Sequence, residues 1–279
     1  MAKILAYFGP AGTYTEEAAL LYDPGADLRP YPTIAAVGNA VSSQATDEGI
    51  VPIENSLEGS VTFTLDLLIR ESGLSIYDEV VLPINHYLMA KPGTQEGEIQ
   101  VVYSHPQSLA QCRELLERRF PNAQQMASLS NSAAVSDMKE SALPAAAIAP
   151  RRAAELYNVE IIGAEVQDVA NNVTRFAVLA QQDHPPTGDD KTSVCFSFEK
   201  DEPGILYRSM GEFAERNINL VKIESRPTRQ SLGEYIFLID CTGHREDPEV
   251  KAALESLGRM ASMLKVLGSY PRWSGQRER

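Results

Sequence analysis

From Ile4 to Tyr270 the apolar residues come in short runs that polar loops rich in glycine and proline keep interrupting. None of these runs approaches the roughly 20 residues a membrane-spanning helix needs. A chain so divided buries its apolar surface by stacking many short elements in layers. Over the first 180 positions, strand-like runs alternate with helix-like stretches. Ile4–Phe8 reads as a strand, followed by the turn Gly9-Pro10-Ala11-Gly12-Thr13-Tyr14 and a helix of about two turns from Thr15. Gly49–Ile53 reads as a short strand and Val80–Met89 as a longer one. Ile99–Tyr103 runs into Ser104-His105-Pro106, where Ser104 or His105 caps a helix and Pro106 sits in its first turn. That helix places Leu109, Cys112, Leu115 and Leu116 on one face. Ala145–Ala149 is a buried strand or helix, and Pro150 permits a new helix to start. The alternation implies an α/β fold.

The clearest break is Gln181-Gln182-Asp183-His184-Pro185-Pro186-Thr187-Gly188-Asp189-Asp190, polar and turn-rich, which reads as a linker between domains. A length of 279 residues agrees with two domains. Beyond the break, Thr192–Phe198 alternates as a strand, and a helix from Pro203 buries Leu206, Met210 and Phe213. Strands Ile218–Glu224 and Tyr235–Cys241 flank a turn from Pro227 to Gly233. A helix from Asp247 carries Val250, Leu254 and Leu257, and strand Met263–Tyr270 closes the unit. The order is β-α-β-β-α-β, the split βαβ arrangement of ferredoxin-like domains. The expected boundaries are 1–181, a linker 182–190, a small domain 191–272 and a polar, frayed tail 273–279.

A net charge of -13 argues against a nucleic-acid partner but leaves room for a small anionic substrate beside a local arginine. The three cysteines, Cys112, Cys195 and Cys241, are too far apart to suggest a disulfide framework or a metal site. The N-terminal apolar stretch is too short for a signal peptide, so the expected setting is the cytoplasm, with no membrane contact.

Chemistry concentrates in Asp168-Val169-Ala170-Asn171-Asn172-Val173-Thr174-Arg175-Phe176, at the mouth of an apolar run. Thr174 either donates a hydrogen bond to a leaving oxygen or simply begins a strand. Arg175 either clamps a carboxylate or pairs with Asp168 at the surface. Asn172 orients a ligand or makes an Asx turn, and Phe176 belongs to the core. Three further polar islands stand at strand ends. Gly9–Tyr14 offers backbone N–H groups to an anion or is a plain turn. Glu54, Asn55 and Ser56 supply a carboxylate, an amide and a hydroxyl, or cap a helix. Ser104-His105-Pro106-Gln107 is either a site with a titratable His105 or a capped helix start. Ser130-Asn131-Ser132-Ala133-Ala134 gives another capped helix. Polar strand ends in one α/β unit suggest a cleft lined by converging loops.

Taken together and in this order, Gly9–Thr13, Glu54-Asn55-Ser56 with Gly59, Ser104–Gln107, and Asn172 with Thr174-Arg175-Phe176 resemble the motifs of prephenate dehydratases. The downstream unit resembles an ACT-type amino-acid-sensing domain, with Pro203-Gly204-Ile205-Leu206-Tyr207 and Glu224-Ser225-Arg226-Pro227 matching its two ligand motifs. The resemblance spans Lys3 to Tyr270. It implies a two-lobed catalytic region similar to type 2 periplasmic binding proteins, with the chain crossing between lobes near Ile76 to Val81 and returning late in the segment. It implies loss of water and carbon dioxide from prephenate to give phenylpyruvate, without metal or organic cofactor, in dimers or tetramers inhibited by L-phenylalanine.

Carried residue by residue, Thr174 is the expected donor to the departing hydroxyl, with Glu54, Asn55 and Ser56 as the other catalytic residues. Gly12, Thr13, Asn172, Arg175, Phe176, Ser104, His105 and Gln107 are expected at the substrate. Arg175 is expected on the pyruvyl carboxylate, since a cation on the departing carboxylate stabilises the charge that must vanish. Pro203, Gly204, Ile205, Leu206, Glu224, Ser225, Arg226 and Pro227 are expected to hold phenylalanine. Some positions depart from the family pattern. Ser130-Asn131-Ser132-Ala133 differs from the usual Thr- and Ser-rich version, Gln167 stands where an acid often precedes Asp168, and Ile205-Leu206-Tyr207 is bulkier than the common Ala-Leu-Val. An arogenate dehydratase and a non-catalytic sensor of aromatic ligands are the alternatives.

Overall fold

The computed structural model describes residues 2–70, 73–200, 202–228 and 234–275. Most of the expected turn Pro227–Gly233 and the end of the expected tail lie outside them. The chain divides into two compact units, one of Met1–Val37, Ile50–Val61 and Val80–Phe176, the other of Gly38–Gly49, Thr62–Glu79 and Ala177–Arg279.

Among the described residues three sheets form. In the first, strands Asp27–Tyr31, Ile4–Phe8, Glu48–Asn55, Val173–Ala180 and Ser75–Pro83 lie side by side in that order, and Gly59–Ser60 folds back onto Glu48–Asn55. The second runs Glu160–Gly163, Tyr87–Ala90, Ala145–Ala149, Val101–Ser104 and Gln124–Ala127. Its burial pattern explains the unbroken apolar run at Ala145–Ala149. Ala146 and Ile148 pack with Leu88, Val102, Cys112, Leu115, Leu116 and Phe120 on one face. Ala145, Ala147 and Ala149 pack with Met89, Val101, Val135 and Met138 on the other. A strand covered on both faces has no solvent side, so strict polar alternation disappears.

Three expectations need correction. Val80–Met89 is not one strand, because Ser75–Pro83 belongs to the first sheet and Tyr87–Ala90 to the second. Pro83 cannot donate to a ladder, and pairing stops there. The chain therefore passes between the sheets at Ile84–His86, later than the expected Ile76–Val81, and returns between Gly163 and Val173. The two passages are tied together: Ile84 N donates to Asn172 O at 2.8 Å and Val166 N to His86 O at 2.9 Å. The helix expected through Leu116 is also two helices, Pro106–Gln111 and Arg113–Arg119, broken at Cys112. Its apolar face survives the break, since Leu109, Cys112, Leu115 and Leu116 share one cluster.

In the second unit the βαββαβ order appears as strands Asp190–Ser197, Leu220–Pro227, Tyr235–Thr242 and Met263–Pro271 with helices Ile205–Ala214 and Pro248–Met260. The antiparallel sheet runs Leu220–Pro227, Tyr235–Thr242, Asp190–Ser197, Met263–Pro271. Val194, Phe196, Phe213, Ile239, Val250 and Leu257 form the core beneath the helices. The same unit contains helix Thr62–Arg70 and the residues after it. Lys191 meets the buried Glu79 at 2.9 Å, Lys265 donates to Leu68 O at 2.6 Å, and Gly268 leaves no space for a Cβ against the Ile76 backbone. The Lys265 cation lies where carbonyls at a helix C-terminus favour positive charge.

Candidate active site

Strand Glu48–Asn55 ends in a tight reversal, in which Glu54 pairs with Ser60 and Asn55 with Gly59. The Asn55 side-chain carbonyl accepts the N–H groups of Leu57 and Glu58, each at 3.0 Å. This Asx turn fixes which end of the amide faces the neighbouring strand. The Asn55 Nδ2 group donates to Thr174 Oγ1 at 2.9 Å, to Asn172 Oδ1 at 2.7 Å and to Val173 O at 3.2 Å. Thr174 is 8 % exposed, and its own hydroxyl proton goes to no acceptor among the described residues. A hydroxyl that accepts one hydrogen bond is polarised as a donor for the next.

Ser56 serves the join between the strands: its N–H donates to Val173 O at 2.9 Å, and its Oγ accepts from Val173 N at 3.0 Å. Arg175 does not pair with Asp168. Its guanidinium lies 3.4 Å from Glu54 Oε2. Successive residues on a strand face opposite sides, so Asn55 and Thr174 share one face and Glu54 and Arg175 the other. Asp168 instead accepts the N–H groups of Glu114 at 3.0 Å and Leu115 at 3.4 Å, at the start of helix Arg113–Arg119. Phe176 is 1 % exposed and belongs to the core.

The remaining expected residues fall into two groups. Gly12, at φ +82°, packs against Ser132, whose hydroxyl donates to Ala11 O. The Gly12 N–H donates to Glu16 Oε2 at 2.6 Å, and the Thr13 hydroxyl donates to Pro10 O at 2.9 Å while capping helix Tyr14–Tyr22. A carboxylate of the chain itself therefore occupies the expected anion position. Ser104 is sealed from solvent and donates to Ile148 O at 2.7 Å and Asn131 Oδ1 at 3.2 Å. His105 caps helix Pro106–Gln111 through Nδ1, which accepts the Gln107 N–H at 3.3 Å, while Gln107 itself is exposed. Burial holds the His105 imidazole below its ordinary pKa.

Geometry adds residues that the motifs do not single out. Asn172 Nδ2 donates to Gln111 Oε1 at 2.9 Å, and that oxygen lies 3.1 Å from His86 Nε2. His86 Nδ1 in turn lies 2.7 Å from the Tyr14 hydroxyl, which is 2.8 Å from Asn85 O. No sequence motif singles out Gln111, which ends helix Pro106–Gln111 just before the break at Cys112. Burial keeps His86 below its ordinary pKa and raises that of Tyr14. Burial, then the charge of Asp168, pushes the Cys112 thiol up to about 12, so this neighbour of Gln111 is no thiolate nucleophile. Among the described residues no cluster of metal ligands forms, and no helix is long and apolar enough to cross a membrane.

The prephenate dehydratase family model matches residues 5–184 and the ACT domain model matches residues 199–259. The chain belongs to the prephenate dehydratase family. A bifunctional chorismate mutase/prephenate dehydratase of Aquifex aeolicus is 40% identical over 96% of this chain and 73% of its own length. A solved prephenate dehydratase from Arthrobacter aurescens, in complex with L-Phe, is 37% identical and superimposes with a TM-score of 0.88 over 99% of this chain and 92% of its own. A structure described as a novel type of quorum quenching acylase, GqqA, is 29% identical, also with a TM-score of 0.88, over 99% of this chain and 100% of its own. The two-lobed α/β region and the βαββαβ unit are those of a prephenate dehydratase with a C-terminal ACT domain.

Proposed function

We infer that this chain converts prephenate to phenylpyruvate, water and carbon dioxide, with Thr174 as the donor to the departing oxygen. The carrying observation is the Thr174 hydroxyl, which receives the Asn55 amide at 2.9 Å and keeps its own proton for a ligand. In the reaction the ring C–O bond breaks and the hydroxyl leaves with its electron pair. The ring–carboxylate bond breaks in the same direction, its electrons enter the ring, and aromatisation drives the step. The departing oxygen needs one proton to leave as water. A threonine is too weak an acid to protonate it in advance, so donation strengthens as the bond breaks, and solvent restores the hydroxyl. The closed hydrogen bonds of Asn55 and Asn172 hold that oxygen in place without reorganisation during the step.

Gly12, Thr13, Ser104, His105 and Gln107 complete the proposed substrate site, Gln107 as the exposed donor and the others chiefly as the frame of the loops. Glu54 and Arg175 are proposed as a pair that steadies the strand end, with a carboxylate contact from Arg175 as the rival role. The proposed catalytic segment is 1–181 and the proposed regulatory segment 191–272, joined by 182–190, with 273–279 as a tail.

L-Phenylalanine is the proposed effector, at Pro203–Leu206 and Glu224–Pro227. The phenylalanine-bound relative supports this, as does Gly204 at φ +81°, the left-handed N-cap of helix Ile205–Ala214. Self-association is proposed through the regulatory sheet. Leu220–Pro227 is its edge strand, and it leaves Val221 and Ile223 47% and 54% exposed. A cytoplasmic setting is also proposed, supported by three unpaired, buried cysteines.

The test is turnover of prephenate and of arogenate, each with and without phenylalanine, with sedimentation to give the assembly. Phenylpyruvate and carbon dioxide in equal amounts, suppressed by phenylalanine, are the expected result. Faster turnover of arogenate overturns the substrate assignment.

A further inference from the structure

The hydrogen bonds behind Thr174 form a chain whose direction is fixed at one end. Leu57 and Glu58 offer N–H groups, so the Asn55 oxygen must face them and its nitrogen must face Thr174. The Asn172 atom 2.7 Å from that nitrogen must then be the acceptor oxygen, which turns the Asn172 nitrogen toward Gln111. The Gln111 atom there must accept, so its oxygen also faces His86 Nε2 at 3.1 Å. An oxygen at that distance requires Nε2 to carry a hydrogen. In the neutral ring Nδ1 then bears a lone pair, and it shares the single Tyr14 hydroxyl proton, at 2.7 Å, with Asn85 O at 2.8 Å. Every amide and ring orientation from Asn55 to His86 follows from the two backbone N–H groups, as long as Asn172 keeps its nitrogen toward Gln111.

The geometry points to His86, neutral and protonated on Nε2, and Tyr14 as positioning residues for the reaction. They close the far end of the chain that presents the Asn55 donor to Thr174. His86 is suited to this. It is 2 % exposed, and its main chain is held by Gln167 Oε1 at 2.9 Å and by Val166. It sits on the first passage between the sheets, and Asn172 sits on the second. The chain thus ties both passages to the hydroxyl. Tyr14 opens the helix after the Gly9–Thr13 turn and brings that loop into the same network. Burial opposes a charged imidazole here, in keeping with a neutral ring.

Beyond Gln111 the same side chains could run in reverse only if residue 172 offered Gln111 an acceptor instead of its nitrogen. If Gln111 turned its amide, its nitrogen would donate to His86 Nε2, the ring hydrogen would move to Nδ1, and Tyr14 would accept it while donating to Asn85 O at 2.8 Å. This makes the tautomer of His86 a readout of chain direction. Asn172→Asp keeps an acceptor for Asn55, and so keeps the Thr174 contact, but offers Gln111 only oxygens.

Nitrogen NMR on the full chain labelled at its four histidines, with the His86 signal assigned by its loss in His86→Leu, reads the tautomer directly. Nε2–H is expected in the parent and Nδ1–H in Asn172→Asp. Nδ1–H in the parent, or no change in the variant, overturns the inference. Only the kinetic arm rests on the dehydratase reading. Tyr14→Phe should lower kcat for prephenate about three- to tenfold, the cost of one hydrogen bond, with KM held within about twofold. His86→Gln, whose amide can still donate to Gln111, should retain more turnover than His86→Leu. Unchanged kcat in both Tyr14→Phe and His86→Leu sinks the positioning role, whereas an inactive parent with the expected tautomers would sink only the dehydratase reading.

Discussion

Thr174 is asked to do one thing, supply a proton or a strong hydrogen bond to oxygen as it leaves carbon. Replacing it with Ala should lower kcat for prephenate about 10²–10⁴-fold, the usual range for a positioned acid, while substrate binding stays within a few-fold. Thr174→Ser keeps the hydroxyl and should recover part of that loss. Rate and binding constants for the three proteins check this, and equal turnover in the Ala variant rejects the assignment. A second residue-scale expectation concerns Glu17. Burial raises its carboxyl above the ordinary value, with the Arg152 N–H opposing the shift. A raised folded value means that the folded chain holds the proton longer than the unfolded one. Its stabilising effect is then full below the ordinary glutamate value and is lost as pH rises through the raised one. Glu17→Gln still accepts the Arg152 N–H, seen at 3.1 Å, and should stabilise the fold at pH 7 but not in acid. Urea unfolding at two pH values tests this, and a destabilised variant at neutral pH contradicts it.

At the scale of elements, Asp168 takes two N–H groups of helix Arg113–Arg119 and places a negative charge at its positive end. Asp168→Ala should cost about 1 kcal/mol, as loss of a helix cap does, and Asp168→Asn less. Chemical denaturation measures both, and no change in the Ala variant removes the capping role. This pairing also marks the limit of what the sequence reveals. Periods of two and 3.6 made most strands and helices readable, and the βαββαβ order was legible because each element there turns one apolar face to one core. Ala145–Ala149 stayed ambiguous because burial on both faces erases the period. The breaks at Pro83 and Cys112 were not legible, since the apolar pattern runs through them and only sheet pairing shows the interruption. Thr174, Asn55 and Asn172 were found as motifs. That Asp168 caps a helix, that Arg175 turns to Glu54, and that Gln111 and His86 stand behind Asn172 depend on which distant side chains tertiary packing brings together.

At the scale of the molecule, regulation requires two sites with a coupling free energy between them. Arg226, in the proposed phenylalanine motif, donates through one terminal nitrogen to Asp66 Oδ1, while its other terminal nitrogen is buried without a hydrogen-bond partner among the described residues. Asp66 lies in helix Thr62–Arg70, which begins two residues after the short strand Gly59–Ser60. That strand pairs with Glu54 and Asn55. A ligand that repositions Arg226 therefore pulls on a helix continuous with the reversal that orients Asn55. Asp66→Asn keeps the shape and an acceptor oxygen but removes the charge that holds the guanidinium. Its basal turnover of prephenate should stay within about twofold of the parent. The phenylalanine concentration for half-inhibition should rise by about fivefold or more, the lower end of ordinary coupling energies. Calorimetry separates loss of coupling from loss of binding: phenylalanine should still bind the variant, at a cost no greater than the lost coupling. Parent-like inhibition would show that the Arg226–Asp66 pair holds the fold together without carrying the signal.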